Sequence, residues 1–216
     1  MFRCVPAQQP YSIMPSYKLT YFDLRGRAEV SRLIFAYAKQ EFEDKRIQFP
    51  DWPALKPNTP FGQLPILEVD GQVIGQSTAI NNFLAREFGL YGKTNMESCQ
   101  VDQIGCLLED YFQLAIKAMF EKDEAKKAQL MKELKEETAP KYLDLLEKLL
   151  KKNGSGYFVG KEITLADINV YNVTWAFLNE APAALDSFPL LKEFHHKVNS
   201  IPQIKSYVDA RKPSDR

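Results

Sequence analysis

The apolar residues of this chain change period once, close to Gly92. Before that point, short runs rich in aromatic and β-branched residues alternate with turn signals. After it, apolar residues recur every three or four positions over long stretches, and strand signals vanish. Side chains repeat every two residues along a strand and every 3.6 along a helix, so one pattern does not serve for the other. The chain is therefore predicted to be an α/β unit followed by an all-α unit. Its 216 residues suffice for one large or two modest domains, and 45% apolar content is normal for a chain that buries a core.

Tyr17 to Phe22 is rich in β-favouring residues and is predicted as a strand. Gly26 breaks the pattern, and from Ala28 onward Val30, Leu33, Ile34, Tyr37 and Ala38 recur at helical spacing. Lys45 to Phe49 alternates as a second strand. Pro50, Pro53, Pro57 and Pro60 make the next stretch mostly irregular. Leu64 to Val69 and Gln72 to Ile74 flank Asp70-Gly71, a two-residue hairpin signal. Ser77 is placed to cap a helix with Ile80, Phe83 and Leu84 on its apolar face, and Gly89 to end it. A crossover helix, a hairpin and a closing helix fit an α/β sandwich. Helical patterns then fill residues 97–121 and 126–152, the second with Pro140 as a potential kink, and recur near 188–198 and 202–210. Gly154-Ser155-Gly156 reads as a turn. Thr164 and Asp167 have the spacing of a capping box, with Ile163 and Ile168 at staple positions.

The 28 basic residues balance the 28 acidic ones, so there is no electrostatic case for a nucleic-acid or anionic-membrane partner. No apolar run approaches the ~18 residues of a membrane span. Cys4, Cys99 and Cys106 are too scattered for a disulfide framework or a zinc site, and a reducing compartment is the simplest reading. Residues 1–13, with Pro6, Pro10, Gln8 and Gln9, lack the apolar core of a signal peptide. They are expected to be a disordered extension before a first domain at 14–92 and a helical domain at 93–216.

Several segments resemble one family. Tyr17-Lys18-Leu19-Thr20-Tyr21-Phe22 and Arg25-Gly26-Arg27-Ala28-Glu29 are similar to the opening of sigma-class glutathione transferases. Pro60-Phe61-Gly62-Gln63-Leu64-Pro65-Ile66-Leu67 and Gln76-Ser77-Thr78-Ala79-Ile80 resemble that family's glutathione-site segments, and Thr164–Asp167 resembles the folding motif of its helical domain. The likeness runs from about Met14 to near the C-terminus, with the motifs in order. It implies a thioredoxin-like first domain, a helical-bundle second domain, a cytoplasmic homodimer, and glutathione as co-substrate; no metal is expected, because this chain departs from the family's cation-binding residues on the first long helix.

The resemblance also implies roles. The free thiol of glutathione has a pKa of about 8.5 and its thiolate is the nucleophile, so the enzyme must stabilise the anion. Tyr21 would donate a hydrogen bond to it, with Arg27 adding positive charge nearby. By position alone Tyr21 is equally an aromatic strand residue. Leu64, before a Pro65 that the family holds cis, would pair with the cysteinyl backbone, although an isolated X-Pro bond is usually trans. Gln76 and Ser77 would receive the γ-glutamyl end at a helix N-terminus, a position equally suited to a plain cap. Trp52, Lys56 and Gln63 match positions that hold the glycine end; alone, Lys56 reads as a solvated charge. Asp110 matches an acid that reaches across the dimer, and alone reads as a surface carboxylate. The hydrophobic substrate would lie over the sulfur between Phe22, Leu24 and the first long helix, with Phe112, Gln113 and Lys117 as candidate lining.

The family's prostaglandin-isomerising members carry a tryptophan where Lys117 stands. Where Cys106, Glu109 and Asp110 stand they carry three aspartates that bind a divalent cation. These departures turn the expectation toward conjugation of small hydrophobic electrophiles. The alternatives are a glutathione-dependent isomerase of the prostaglandin D synthase type and a non-enzymatic crystallin-like or ligand-binding protein. A thiol–disulfide oxidoreductase would need a cysteine after the first strand, and residues 21–26 contain none.

Overall fold

Alternation along Tyr17–Phe22 produces β1, whose Tyr17, Leu19 and Tyr21 share one buried face. The computed structural model describes residues 15–212; the expected disorder of residues 1–13 lies outside that range. A tight 3-10 turn, Gly26–Ala28, leads into α1 (Glu29–Ala38), and β2 (Glu43–Ile47) returns parallel to β1. β2 is an edge strand with exposed Glu43 and Lys45, and it starts and ends two residues earlier than its sequence pattern suggests. Pro50 lies in the turn that follows, where its fixed φ suits the start of a helical segment. The segment that follows is not wholly irregular. It contains the 3-10 turn Phe49–Asp51, the single-turn α2 (Trp52–Leu55) and a second 3-10 turn, Lys56–Asn58.

β3 (Ile66–Val69) and β4 (Gln72–Gly75) form the antiparallel hairpin. Asp70 and Gly71 have φ of 48° and 85°, the two positive values that a type I′ turn needs. The strand order is β2-β1-β3-β4, with β3 antiparallel to β1. This topology brings the C-terminal ends of β1, β2 and β4 together with the N-terminal start of β3. Tyr21, Phe49, Leu64 and Gln76 are therefore gathered at one end of the sheet, although they are scattered in sequence.

From Ser77 onward the described residues form helices and loops. They comprise α3 (Ser77–Glu87), α4 (Asn95–Met119), α5 (Glu124–Glu133), α6 (Ala139–Asn153), α7 (Leu165–Glu180), α8 (Pro189–Asn199) and α9 (Pro202–Ala210). The continuous pattern at 126–152 is in fact broken by a π turn at Leu134–Thr138. Pro140 has no N–H for the carbonyl four residues back, and its ring would clash with that carbonyl; one wider turn relieves the clash. α7 is buried on most of its circumference, with Ala166, Ile168, Val170, Tyr171 and Val173 in the core. No helix among the described residues is long and apolar enough to cross a membrane. Cys99 and Cys106 are free, exposed thiols on α4.

Two buried titrating groups in the helical half oppose each other. Asp167 accepts from the Phe158 and Thr164 amides at 2.8 and 2.7 Å and from the Thr164 hydroxyl at 2.9 Å. Burial outweighs these bonds and pushes its pKa up to about 6. His195 stacks on Tyr171, and its Nδ1 lies 2.9 Å from the Thr174 hydroxyl; burial first, then His196, pull its pKa down to about 4. The depressed His195 removes stability as pH falls from about 6.5 to about 4, because only the unfolded chain takes the proton. The raised Asp167 does the reverse: the part of its contribution linked to its proton is complete below about pH 4 and is lost as pH rises through about 6, while its hydrogen bonds to Phe158 and Thr164 remain. Replacing the histidine exposes the opposition. The stability gap between wild type and His195→Gln should narrow by about 2 kcal/mol between pH 7 and pH 4.5. Denaturant midpoints at the two pH values measure this, and a constant gap would contradict the assignment.

Candidate functional site

Tyr21 ends the buried face of β1, and its hydroxyl accepts a hydrogen bond from the Arg27 amide at 3.2 Å. That bond uses an oxygen lone pair and leaves the phenolic proton free to be donated. Gly26 makes the geometry possible. It sits at φ 41°, and a Cβ there would lie 2.6 Å from the Tyr21 hydroxyl and 2.7 Å from Leu24 Cδ1. Gly26→Ala should therefore cost about 1–2 kcal/mol and lower turnover by displacing the Tyr21 ring. Denaturant melts and steady-state rates would show this, and unchanged values for both would contradict it.

Arg27 joins three segments. Its guanidinium donates to both oxygens of Glu109, at 3.0 and 2.9 Å, and approaches the Ser77 hydroxyl at 3.4 Å. Burial pushes the Glu109 carboxyl up, but the Arg27 and Gln113 hydrogen bonds outweigh it and hold the pKa below the usual carboxylate range. The positive charge expected of Arg27 is thus shared with a carboxylate, and its backbone amide is what touches Tyr21. Glu109 does not stand out in the sequence as a site residue, since its partner lies 82 residues away.

Ser77 is the first residue of α3 and does not cap it. Gln76 holds the cap position at φ 74° and makes no side-chain cap bond. Such a φ is costly outside glycine, about 1–3 kcal/mol, and is found where the surroundings enforce it. With no cap bond from Gln76, the first-turn amides of α3 favour an anion. Ser77 and Thr78 line a cleft of about 330 Å³, together with Arg27, Asn81, Glu109, Asp110 and Phe112. Gln76 Nε2 donates to Gln63 Oε1 at 3.0 Å, which joins two of the expected binding residues at the surface. Leu64-Pro65 is cis, and Leu64 lies just before the β3 ladder opens at Ile66. Lys56 is exposed, and its stem lies beside Gly62.

Beside Tyr21, Phe22 stacks on Phe49, with ring centroids 4.5 Å apart, and meets Trp52 edge-on at 5.9 Å. Phe49 is 65% exposed and extends this apolar surface, a part that the sequence did not mark. Leu24 packs next to Gly26. Of the three candidates on α4, Phe112 lines the cleft, Gln113 bonds Glu109, and Lys117 stands exposed in the last turn near exposed Met119 and Phe120. Among the described residues no group of three His, Cys, Asp or Glu is placed to hold a metal ion.

Most of the chain is similar to known proteins. Residues 17–86 match the glutathione S-transferase N-terminal domain, and residues 109–211 match the glutathione S-transferase C-terminal domain. The chain is 46% identical over 203 residues to glutathione S-transferase 1 of Ascaris suum, covering 92% of this chain and 98% of the relative. It is 40% identical over 195 residues to the hematopoietic prostaglandin D synthase of Mus musculus, covering 90% and 96%. Among solved structures, the monomeric Na-GST-3 of the hookworm Necator americanus superposes with a TM-score of 0.86 at 37% identity, covering 93% of this chain and 100% of the other.

Proposed function

The chain belongs to the glutathione S-transferase family, and from that membership we propose how its residues divide the work. The reaction joins the glutathione thiolate to a small hydrophobic electrophile. The Tyr21 hydroxyl donates to the sulfur and lowers the thiol pKa by stabilising the charged form. The observation that carries this reading is the Arg27 amide on the Tyr21 oxygen, which holds the phenol in place with its proton unspent. It also withdraws electron density from that oxygen, which makes the remaining O–H a better donor.

The rest of the tripeptide is assigned to the end of the sheet. The γ-glutamyl carboxylate is placed at the uncapped α3 N-terminus with Ser77 and Gln76. The cysteinyl backbone pairs with Leu64 ahead of Pro65, and the glycine carboxylate meets Trp52, Lys56 and Gln63. The electrophile lies over the Phe22, Leu24 and Phe112 side, with Gln113 and Lys117 farther along α4. Class membership is assigned as sigma, the role as detoxification and the compartment as cytoplasm, the last supported by the free thiols of Cys99 and Cys106. Asp110 is exposed on α4 and is assigned to the partner's site in a homodimer. Light scattering should then give twice the 24.8 kDa chain mass. A monomer with full activity, like the monomeric state named for the hookworm relative, would remove that part of the assignment.

The enzyme is tested by mixing the purified chain with glutathione and 1-chloro-2,4-dinitrobenzene. Saturable conjugation well above the uncatalysed rate is expected. Glutathione binding without conjugation would favour the crystallin-like reading. A second reading, isomerisation of a prostaglandin endoperoxide, is favoured by the 40% identity to the mouse prostaglandin D synthase. It predicts isomerase product from the same preparation, and Lys117, which supplies no aromatic wall, argues for a weaker yield.

A further inference from the structure

The carboxylate of Glu29, fully buried in the first turn of α1, joins the loop after β1 to the far end of the chain. From α9, Tyr207 donates to its Oε2 at 3.2 Å, and Arg211, just beyond that helix, donates to its Oε1 at 2.8 Å. From its own side of the molecule, Arg25 Nε lies 3.5 Å from Oε1 and Arg32 Nη1 lies 3.5 Å from Oε2. These arginines also hold the loop itself. Arg32 donates to the Leu24 carbonyl at 2.8 Å and the Arg25 carbonyl at 3.4 Å, and it is anchored on Asp44 by two bonds of 3.1 Å. Arg25 donates to Asn172 at 2.6 Å, and its guanidinium lies 3.6 Å from the centre of the Trp175 ring.

This is an odd way to gain stability. Three guanidinium groups converge on one carboxylate in the interior, with Asp44 as the second anion. Burial, opposed by Glu29 and reinforced by the charge of Arg211, pulls the Arg25 pKa down to about 10. Taking such charges out of water costs several kcal/mol each, and apolar residues of similar volume often stabilise as well or better. What the cluster does supply is directional control of residues 24–27, because each hydrogen bond fixes an angle as well as a distance. That loop carries the Arg27 amide, and the Arg27 amide holds the Tyr21 hydroxyl.

We propose that Glu29 is a positioning residue for Tyr21, and that Tyr207 and Arg211 make the C-terminal helix part of the device that aims the phenol at the sulfur. The proposal rests on the reading of Tyr21 as the thiolate donor. It adds that the aim of this hydroxyl is set from the opposite end of the chain, through Glu29, Arg32 and the backbone of residues 24–27.

The test uses the full chain. Arg211→Met removes the charged link, Arg211→Lys restores its charge, and Tyr207→Phe removes a single hydroxyl. Each is made in wild type and in Tyr21→Phe. The pKa of bound glutathione is read from thiolate ultraviolet absorbance, with turnover and the glutathione KM at about pH 6.5 and pH 9. A less well aimed phenol should raise the bound thiol pKa by about half a unit, which is about threefold in thiolate at pH 6.5 and disappears at pH 9. KM should stay within about twofold, since the other contacts to the tripeptide are untouched. Arg211→Lys should recover part of the shift, and in the Tyr21→Phe background none of the variants should shift the pKa further. If Arg211→Met does not fold, Tyr207→Phe carries the same comparison alone. A uniform loss of turnover at both pH values with an unshifted pKa would show a merely structural role and overturn the proposal. An equal shift in the Tyr21→Phe background would do the same. If Tyr21→Phe alone leaves the thiolate pKa unmoved, the reading of Tyr21 fails and this proposal fails with it; if it moves the pKa and the strap variants do not, only the proposal fails.

Discussion

Tyr21→Phe should lower turnover at neutral pH by about tenfold or more, because rate follows the thiolate fraction of bound glutathione. The substitution keeps the ring, its edge-on contact with Phe22 and its burial, and it removes only the hydroxyl. Losing that donor should raise the bound thiol pKa by one to two units, on the order of 1.4–2.8 kcal/mol of lost preference for the anion. The Arg27 amide also loses its acceptor, at a cost of about 1 kcal/mol in stability. Glutathione KM should change much less than turnover, the pattern of an interaction made with the reacting atom alone. Raising the pH should restore much of the rate. A mutant that matches wild type at pH 6.5 would show that another group activates the thiol.

Asp167→Ala should have the largest effect on stability of any single change at the start of α7. The carboxylate closes the capping box on Thr164 and also satisfies the amide of Phe158. Asp167 is fully buried, and Phe158 and Thr164 are 5% and 6% exposed, so water does not readily replace the lost acceptor. Orphaning a buried amide costs about 1–3 kcal/mol, and with two amides and a hydroxyl affected the total should be about 3 kcal/mol. In a chain of this length that lowers Tm by about 6–12 °C. Asp167→Asn retains one acceptor oxygen and should cost about half as much. The comparison is a pair of thermal melts at pH 7. A loss below about 1 kcal/mol would mean that the box is dispensable once α7 is packed.

The parts of this molecule that were legible in the sequence are those governed by local chemistry. The β-favouring run at Tyr17–Phe22, the Asp70-Gly71 turn and the Thr164–Asp167 box each fix their own conformation, and each forms as its residues dictate. β2 was displaced by two residues because its exposed Glu43 and Lys45 lie on a sheet edge, where apolar periodicity carries little information. Ser77 has the composition of a cap, but the chain enters α3 through a positive φ at Gln76, and a residue type alone does not disclose that. Pro140 signalled a disturbance in the long helical pattern without saying that the helix would widen to a π turn before it. The Arg27–Glu109 bridge and the Glu29–Arg211 link join residues 82 and 182 positions apart. Their charges look like ordinary surface charges until the topology brings them together. At the proposed site, the residues assigned to glutathione were picked out through their segments, while the partners that orient them were not.

The most direct measurement is a pH titration of thiolate absorbance on the wild-type chain saturated with glutathione, compared with free glutathione. Bound thiol with a pKa about one unit or more below the ordinary value of about 8.5 is expected, and its rise in Tyr21→Phe should match the loss of turnover. A bound thiol that titrates at its free value would contradict thiolate stabilisation by Tyr21, whatever rate of conjugation the protein shows.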